Sequence, residues 1–236
     1  MRETSHFEVL SRWRNELYPV YGPDTHHDDD GYGSDNKLLF EIERSAAPLF
    51  GIVTYGVHMT GFVRSSDNQS IKIWVPRRAK EKQTYGGMLD NTVAGGISSG
   101  ESPFTSLVRE AAEEASMPEE LVRQKAKPCG TVSYFSIRDE RAGGETGLLQ
   151  PEIQYVYDIE LPHDFIPKPS DGEVQDFDLW DINKIKIAMA AGEFKPNCAL
   201  VMLDFFVRHG ILTPENEKDY LKIVPRLHRR LDFPTK

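Results

Sequence analysis

Three glutamates, Glu110, Glu113 and Glu114, stand at i, i+3 and i+4 in the stretch VREAAEEASM. On a helix that advances about 100° per residue they share one stripe. Like charges at that spacing repel by roughly a few tenths of a kcal/mol each in water, and by more when partly desolvated. A bound divalent cation that prefers oxygen ligands reverses the sign of that cost. A merely acidic surface helix has the same spacing, so the residues around the row must decide between the two readings.

Those residues describe how the row would be held. Ser102 and Pro103 read as the N-cap and first residue of the helix. On the same wheel Phe104, Leu107, Val108, Ala111 and Ala115 gather on a core-facing side. The acids lie roughly 120° round from it, on an edge beside the buried face. Gly95 and Gly96 come before the helix, Glu101 follows them, and Arg109 immediately precedes the acids.

The rest of the chain supplies the elements that position this helix. Apolar spacing at Phe7, Leu10, Trp13 and Leu17 predicts a helix over Thr4–Tyr18. The stretch 21–36, rich in Gly, Asp and His, reads as an exposed loop; His26 and His27 beside Asp28, Asp29 and Asp30 have ligand chemistry but no fixed geometry. Residues 38–52 enter a core as strand or helix. Strands are expected over 53–63, 71–78, 129–138, 152–161 and 173–182, and helices over about 183–191, 197–209 and 215–230. The order of strands, one central helix, strands and then helices suits a mixed sheet with a helix packed on it, an α+β arrangement. The boundaries read as a helix and acidic loop over 1–37, the main domain over 38–210, and a helix over 211–236 packed on that domain.

Bulk properties narrow the function classes. A length of 236 residues suits one generous domain with an extension. A net charge of −9 argues against nucleic acid or an anionic membrane as partner, yet leaves room for a small anion met by a metal or a local positive site. Cys129 and Cys198 are not in ligand-spaced pairs, which disfavours a disulfide framework or a structural zinc and favours a reducing compartment. No run of about 18 apolar residues is present. Glu3, Glu8 and Glu16 near the start do not suit a targeting peptide, so a cytoplasmic location is expected, with the nucleus as alternative.

Written out, the segment is G95-x5-E101-x7-R109-E110-A111-x-E113-E114-x-S116-M117. It resembles the Nudix box, GX5EX7REUXEEXGU, with two departures: Ser116 stands where the box has glycine, and Ala111 is a small residue at a bulky apolar position. The resemblance implies the Nudix fold, an α/β/α sandwich, and hydrolysis of a diphosphate linked to another moiety. It implies that Glu110, Glu113 and Glu114 bind Mg²⁺ or Mn²⁺, that the Gly96 carbonyl adds an oxygen, and that Arg109 and Glu101 brace the ligands. The ion would neutralise diphosphate charge and lower the pKa of an attacking water. Ser116 is expected to alter only the turn after the helix, where glycine takes positive φ more cheaply.

Further candidates lie outside the box. Many Nudix proteins carry an acidic residue in a loop such as SDGEV; Glu173 is the candidate ligand or base, and Asp171 reads as a turn residue. Arg77, Arg78 and Lys80 are three cations in four residues of an acidic chain, candidates for substrate phosphates. His58 is a candidate substrate contact or a satisfied core histidine. The segments ERSAAPLFGIVTYGVHMTGF, WVPRRAKEKQTYGGMLDNTVAGGI, DGEVQDF and FKPNCALVMLDFFVRHG resemble a subgroup found in fungi and plants, related to the Nudix part of fungal thiamine pyrophosphokinase-related proteins. That resemblance spans about Leu38–Gly210 and implies thiamine diphosphate, or its oxidised analogues, as substrate. The region before the box is shorter than is usual in the subgroup, and the stretch after His209 has no room for a kinase domain. Prenyl and nucleoside diphosphates remain alternatives, as does a non-catalytic diphosphate-binding module. Isopentenyl diphosphate isomerase shares part of the pattern but needs a cysteine that neither Cys129 nor Cys198 supplies.

Overall fold

The computed structural model describes residues 2–4, 6–23, 37–67 and 70–235; the His26, His27 and Asp28–Asp30 cluster lies outside them. Strands β1 (Leu17–Tyr21) and β2 (Leu38–Glu43) form a separate antiparallel pair, followed by a single turn, α1 (Ala47–Phe50). The central sheet is built from β3 (Thr54–Arg64), β4 (Ile71–Arg78), β5 (Val93–Gly96), β6 (Lys127–Ile137), β7 (Leu149–Glu160) and β8 (Val174–Asp181). Its order is β6-β7-β3-β4-β8, with β5 also paired to β3. β3 runs parallel to β7, and its opposite edge is divided: β5 pairs with Gly56–Met59 and β4 with Phe62–Arg64.

Alternation along β3 sends Val57 and Met59 to one face, where they pack on Leu107, Ala111 and Ala115 of α2 (Pro103–Ala115) and Val122 of α3 (Glu119–Lys125). Phe62 points to the other face, against α4 (Ile182–Ala190) and α5 (Pro196–Arg208), beside which α6 (Tyr220–Leu227) packs. Helices thus cover both faces of a mixed sheet. Each large side chain fully buried in these layers contributes about 1.5–3 kcal/mol.

The carboxylate helix begins and ends as its sequence dictates. The Ser102 side chain accepts from the Thr105 N–H at 3.2 Å, and Pro103 occupies the first turn. The apolar stripe of Leu107, Val108, Ala111 and Ala115 is buried. Ser116 takes φ 51°, the left-handed conformation at which the box has glycine. Its Oγ donates to the Lys168 carbonyl at 2.9 Å, and the Lys168 N–H donates to the Ala115 carbonyl at 3.1 Å. The loop that carries Asp171 and Glu173 is thereby pinned to the end of the helix.

Three expectations are corrected. The segment 4–18 is not one helix: short 3₁₀ turns at Arg2–Thr4 and Glu8–Arg12 give way to Asn15 at φ 57° and then to β1. The Glu145 carboxylate accepts the Glu8 and Val9 N–H groups, so a distant loop satisfies this turn. The expected helix 215–230 is shortened to Tyr220–Leu227, with Pro225 inside it. Helix α3 follows directly after α2 and was not expected; Glu119 and Glu120 in its first turn and Lys125 in its last suit the helix dipole.

Candidate active site

The close approach of α2 to β5 depends on glycine. A Cβ on Gly95 would lie 2.0 Å from Cδ of Glu110, so only a bare Cα leaves space for that carboxylate. Glu110 and Glu114 point inward, whereas Glu113 is about half exposed. Arg109 ties the group together: it donates to Glu101 at 3.0 Å through two nitrogens, to Glu110 at 2.9 Å and to Glu113 at 3.1 Å. Ser106 holds the second oxygen of Glu101 at 2.6 Å.

The electrostatics match a cation site. Burial raises the Glu114 carboxyl well above its ordinary range, and the charges of Glu110 and Asp90 push it the same way. Among the described residues one hydrogen bond opposes this, from the Ala94 N–H at 2.9 Å, together with the charge of Lys82. Burial also raises Glu110, against the pull of Arg109. Because the Ala94 N–H points to Glu114 and not to β3, strand alternation turns the outer edges of Ala94 and Gly96 towards α2. Three carboxylates and an outward-facing strand carbonyl are hard-oxygen donors of the kind that divalent cations favour.

Glu110 and Glu113 line a cavity of about 860 Å³, with Glu114 buried beside them. Glu173 and Asp171 line it. Lys82 bonds the Glu173 carboxylate, and this outweighs the effect of burial and holds Glu173 below its usual pKa. Asp171 accepts the Glu173 N–H at 2.8 Å, as a turn residue does. Of the three cations singled out in the sequence, Arg78 reaches the cavity but is buried and paired to Asp90 at 2.5 Å. Arg77 donates to the Gly87 carbonyl at 2.8 Å and, with Lys80, lines a separate smaller hollow. Neighbouring residues of a strand face opposite sides, which parts Arg77 from Arg78. Further cations on the cavity walls include Arg14, Arg44, Lys82 and Lys195, none of which local spacing singles out.

His58 also lines the cavity and is buried. Asn91 donates to the Cys198 carbonyl at 3.3 Å, so its Oδ1 faces His58 at 2.8 Å and His58 Nδ1 carries the proton. Burial, with Lys195 nearby, lowers the His58 pKa to about 4 and keeps the ring neutral. His58, Asp90 and Cys198 bring one ligand atom each within 4.8 Å of one another. Asp90 is nevertheless already matched: Arg78 and Lys195 outweigh its burial and hold it ionised, and the Cys198 thiol donates to it at 2.6 Å. The cluster reads as a charge-balanced hub behind the cavity. A third wall is formed where Tyr134 and Gln154 both donate to Glu152, the latter at 2.7 Å.

Residues 54–198 match the family model described as the NUDIX domain. The chain belongs to the Nudix family. Among curated relatives, the uncharacterized protein YJR142W of Saccharomyces cerevisiae is 42% identical over 94% of this chain and 63% of its own length. Nudix hydrolase 20, chloroplastic, of Arabidopsis thaliana is 39% identical over 94% of this chain and 54% of its own. The chain thus spans between about half and two thirds of these relatives. The crystal structure of DR0079 from Deinococcus radiodurans superposes with a TM-score of 0.52 at 20% identity, over 79% of this chain and 98% of that one, and shares the Nudix fold. No helix among the described residues is long and apolar enough to cross a membrane.

Proposed function

We propose that this Nudix chain is a Mg²⁺- or Mn²⁺-dependent pyrophosphohydrolase for a small organic diphosphate, with thiamine diphosphate or its oxidised analogues cleaved to the monophosphate. The observation that carries the reading is the acid row, with Glu110 and Glu113 on the wall of a cavity whose other walls carry cations and Glu114 buried beside them. Glu110, Glu113, Glu114 and the Ala94 or Gly96 carbonyl would hold the ion. Bound there, a divalent cation neutralises diphosphate charge and makes a water more acidic. Arg109 and Glu101 keep the carboxylates aligned through the bonds described above. Glu173, held by Lys82 and with its pKa below the usual value, is a cavity glutamate that α2 does not supply, and it serves as base or additional ligand.

The wall at Glu152 supports the thiamine reading over the prenyl one. An acceptor-only carboxylate framed by Tyr134 and Gln154 complements a cationic ring or a ring amine, whereas an apolar prenyl chain would strip water from these groups without replacing their bonds. Isomerisation by a cysteine is disfavoured further. Neither cysteine lines the cavity, burial pushes the Cys129 thiol up to about 11, and Cys198 is buried against Asp90. The test is a phosphate-release screen with Mg²⁺ across thiamine, oxidised thiamine, prenyl, nucleoside and sugar diphosphates. Selective turnover of the thiamine compounds is expected. Selective turnover of prenyl diphosphates would overturn the substrate, and no turnover of any would favour a binding module.

A further inference from the structure

Residues outside the matched Nudix domain reach into the cavity. The β1–β2 pair docks on the loop before α2: the Ser99 N–H donates to the Leu17 carbonyl at 2.8 Å, and Ser98 Oγ donates to Glu16 at 3.0 Å. This docking places Tyr18 against Gly96, where an added Cβ would meet the tyrosine oxygen at 2.0 Å and Cζ of Arg44 at 3.3 Å. The Arg44 guanidinium lies 5.4 Å from the Tyr18 ring centroid and donates to Glu16 at 2.7 Å. Arg14 is brought alongside because its N–H bonds the side chain of Glu43, the residue before Arg44, at 2.8 Å. Both arginines line the cavity.

Their charges are unequally matched. Arg44 has Glu16, and Glu16 is shared with Ser98. The Arg14 guanidinium makes no hydrogen bond or ion pair with any described residue. Burial and the neighbouring Arg44 both lower its pKa, against the weaker pull of Tyr18, Glu173 and Glu16, and among the described residues the ion pair of Glu16 is with Arg44. Among the described residues this leaves the Arg14 donors unbonded on the cavity wall that also carries Arg44, Gly96 and Glu110.

We propose that Arg14 and Arg44 form the anion-binding half of the site and grip the phosphoryl oxygens that a cation on the carboxylate row leaves free. The inference rests on the diphosphate reading above and adds a second phosphate contact from outside residues 54–198. A diphosphate suits two adjacent positive subsites: one phosphoryl group would meet a cation held by the acids, and the other planar guanidinium donors, which match phosphate oxygens in pairs.

The experiment titrates inorganic pyrophosphate by calorimetry into the full chain, with Mg²⁺ and again with EDTA, for the wild type, Arg14→Ala and Arg14→Lys. Melting temperatures and the KM of the best diphosphate substrate are measured alongside. Losing a charge-assisted contact should weaken pyrophosphate binding and raise KM by about 10- to 100-fold in Arg14→Ala, with part of the loss recovered in Arg14→Lys. Because the Arg14 guanidinium bonds none of the described residues, melting should be unchanged or slightly higher. Unchanged affinity in Arg14→Ala overturns the proposal, as does a loss of affinity matched by a fall of several degrees in melting temperature. Arg14-dependent pyrophosphate binding in a chain that hydrolyses no diphosphate leaves the anion site standing and removes the hydrolase reading; hydrolysis indifferent to Arg14 does the reverse.

Discussion

Gly95→Ala isolates the geometry of the acid row from the fold that carries it. The new methyl would sit 2.0 Å from Cδ, 2.2 Å from Oε1 and 2.3 Å from Cγ of Glu110, with all three nearest atoms in that one side chain. Non-bonded carbons rest at about 3.5 Å or more, so the Glu110 carboxyl must move by about 1.5 Å. A side chain can swing where a backbone cannot, and the stability loss should stay within the roughly 1–3 kcal/mol of ordinary overpacking. Misplacement of a reacting group by about 1 Å costs about 100-fold in rate. Gly95→Ala should therefore melt within several degrees of the wild type while kcat on the best diphosphate substrate falls at least about 100-fold, and Mn²⁺ affinity falls with it. Urea unfolding and steady-state kinetics on the same preparation decide the matter. A variant that keeps kcat within threefold would show that Glu110 need not occupy the space beside Gly95, and the reasoning would fail.

Two further outcomes follow from buried ionisable groups. His58 is held neutral down to about pH 4, whereas the unfolded chain takes up the proton near 6.5. Stability should fall between those values by about 3 kcal/mol as pH drops, and His58→Gln should lose that part of the acid limb in urea titrations at pH 7, 5.5 and 4.5; parallel curves would contradict it. Burial alone would raise the Asp158 carboxyl, but bonds from His209 at 2.7 Å and Arg208 at 2.5 and 2.9 Å outweigh it and hold the pKa below its ordinary value. That stabilisation is present above the unfolded carboxyl value of about 4 and is lost as pH falls through the lower folded one. At neutral pH Asp158→Asn should lose about 1–3 kcal/mol by removing the charge-assisted bonds to Arg208, which keeps Asp204 at 2.7 Å, a change that a melting curve resolves.

Legibility of the chain followed the range of the forces involved. α2 was readable from Ser102 to Ala115 because its cap, proline and apolar stripe are local, and β3, β4, β6, β7 and β8 were readable because alternation is local too. The start of the chain misled. Phe7, Leu10, Trp13 and Leu17 have helical spacing, yet Glu145 satisfies the turn from a distance and β2 recruits Leu17 into a strand. The acid row was legible for the same local reason as its helix. Its cationic counterpart was not: Arg14 and Arg44 are 30 residues apart and meet only because β1 pairs with β2 and the Glu43 side chain bonds the Arg14 backbone. Arg77, Arg78 and Lys80 are adjacent in sequence, but strand geometry sends them to different places.

The most direct measurement is a calorimetric Mn²⁺ titration of the wild type and Glu114→Gln, with non-hydrolysable methylenediphosphonate present. Wild-type uptake is predicted at the carboxylate row, with affinity at least about tenfold weaker in the variant and no loss of thermal stability, since the glutamine sheds a buried charge. A wild type that takes up no ion, or a variant that binds as tightly, would contradict the account at its centre.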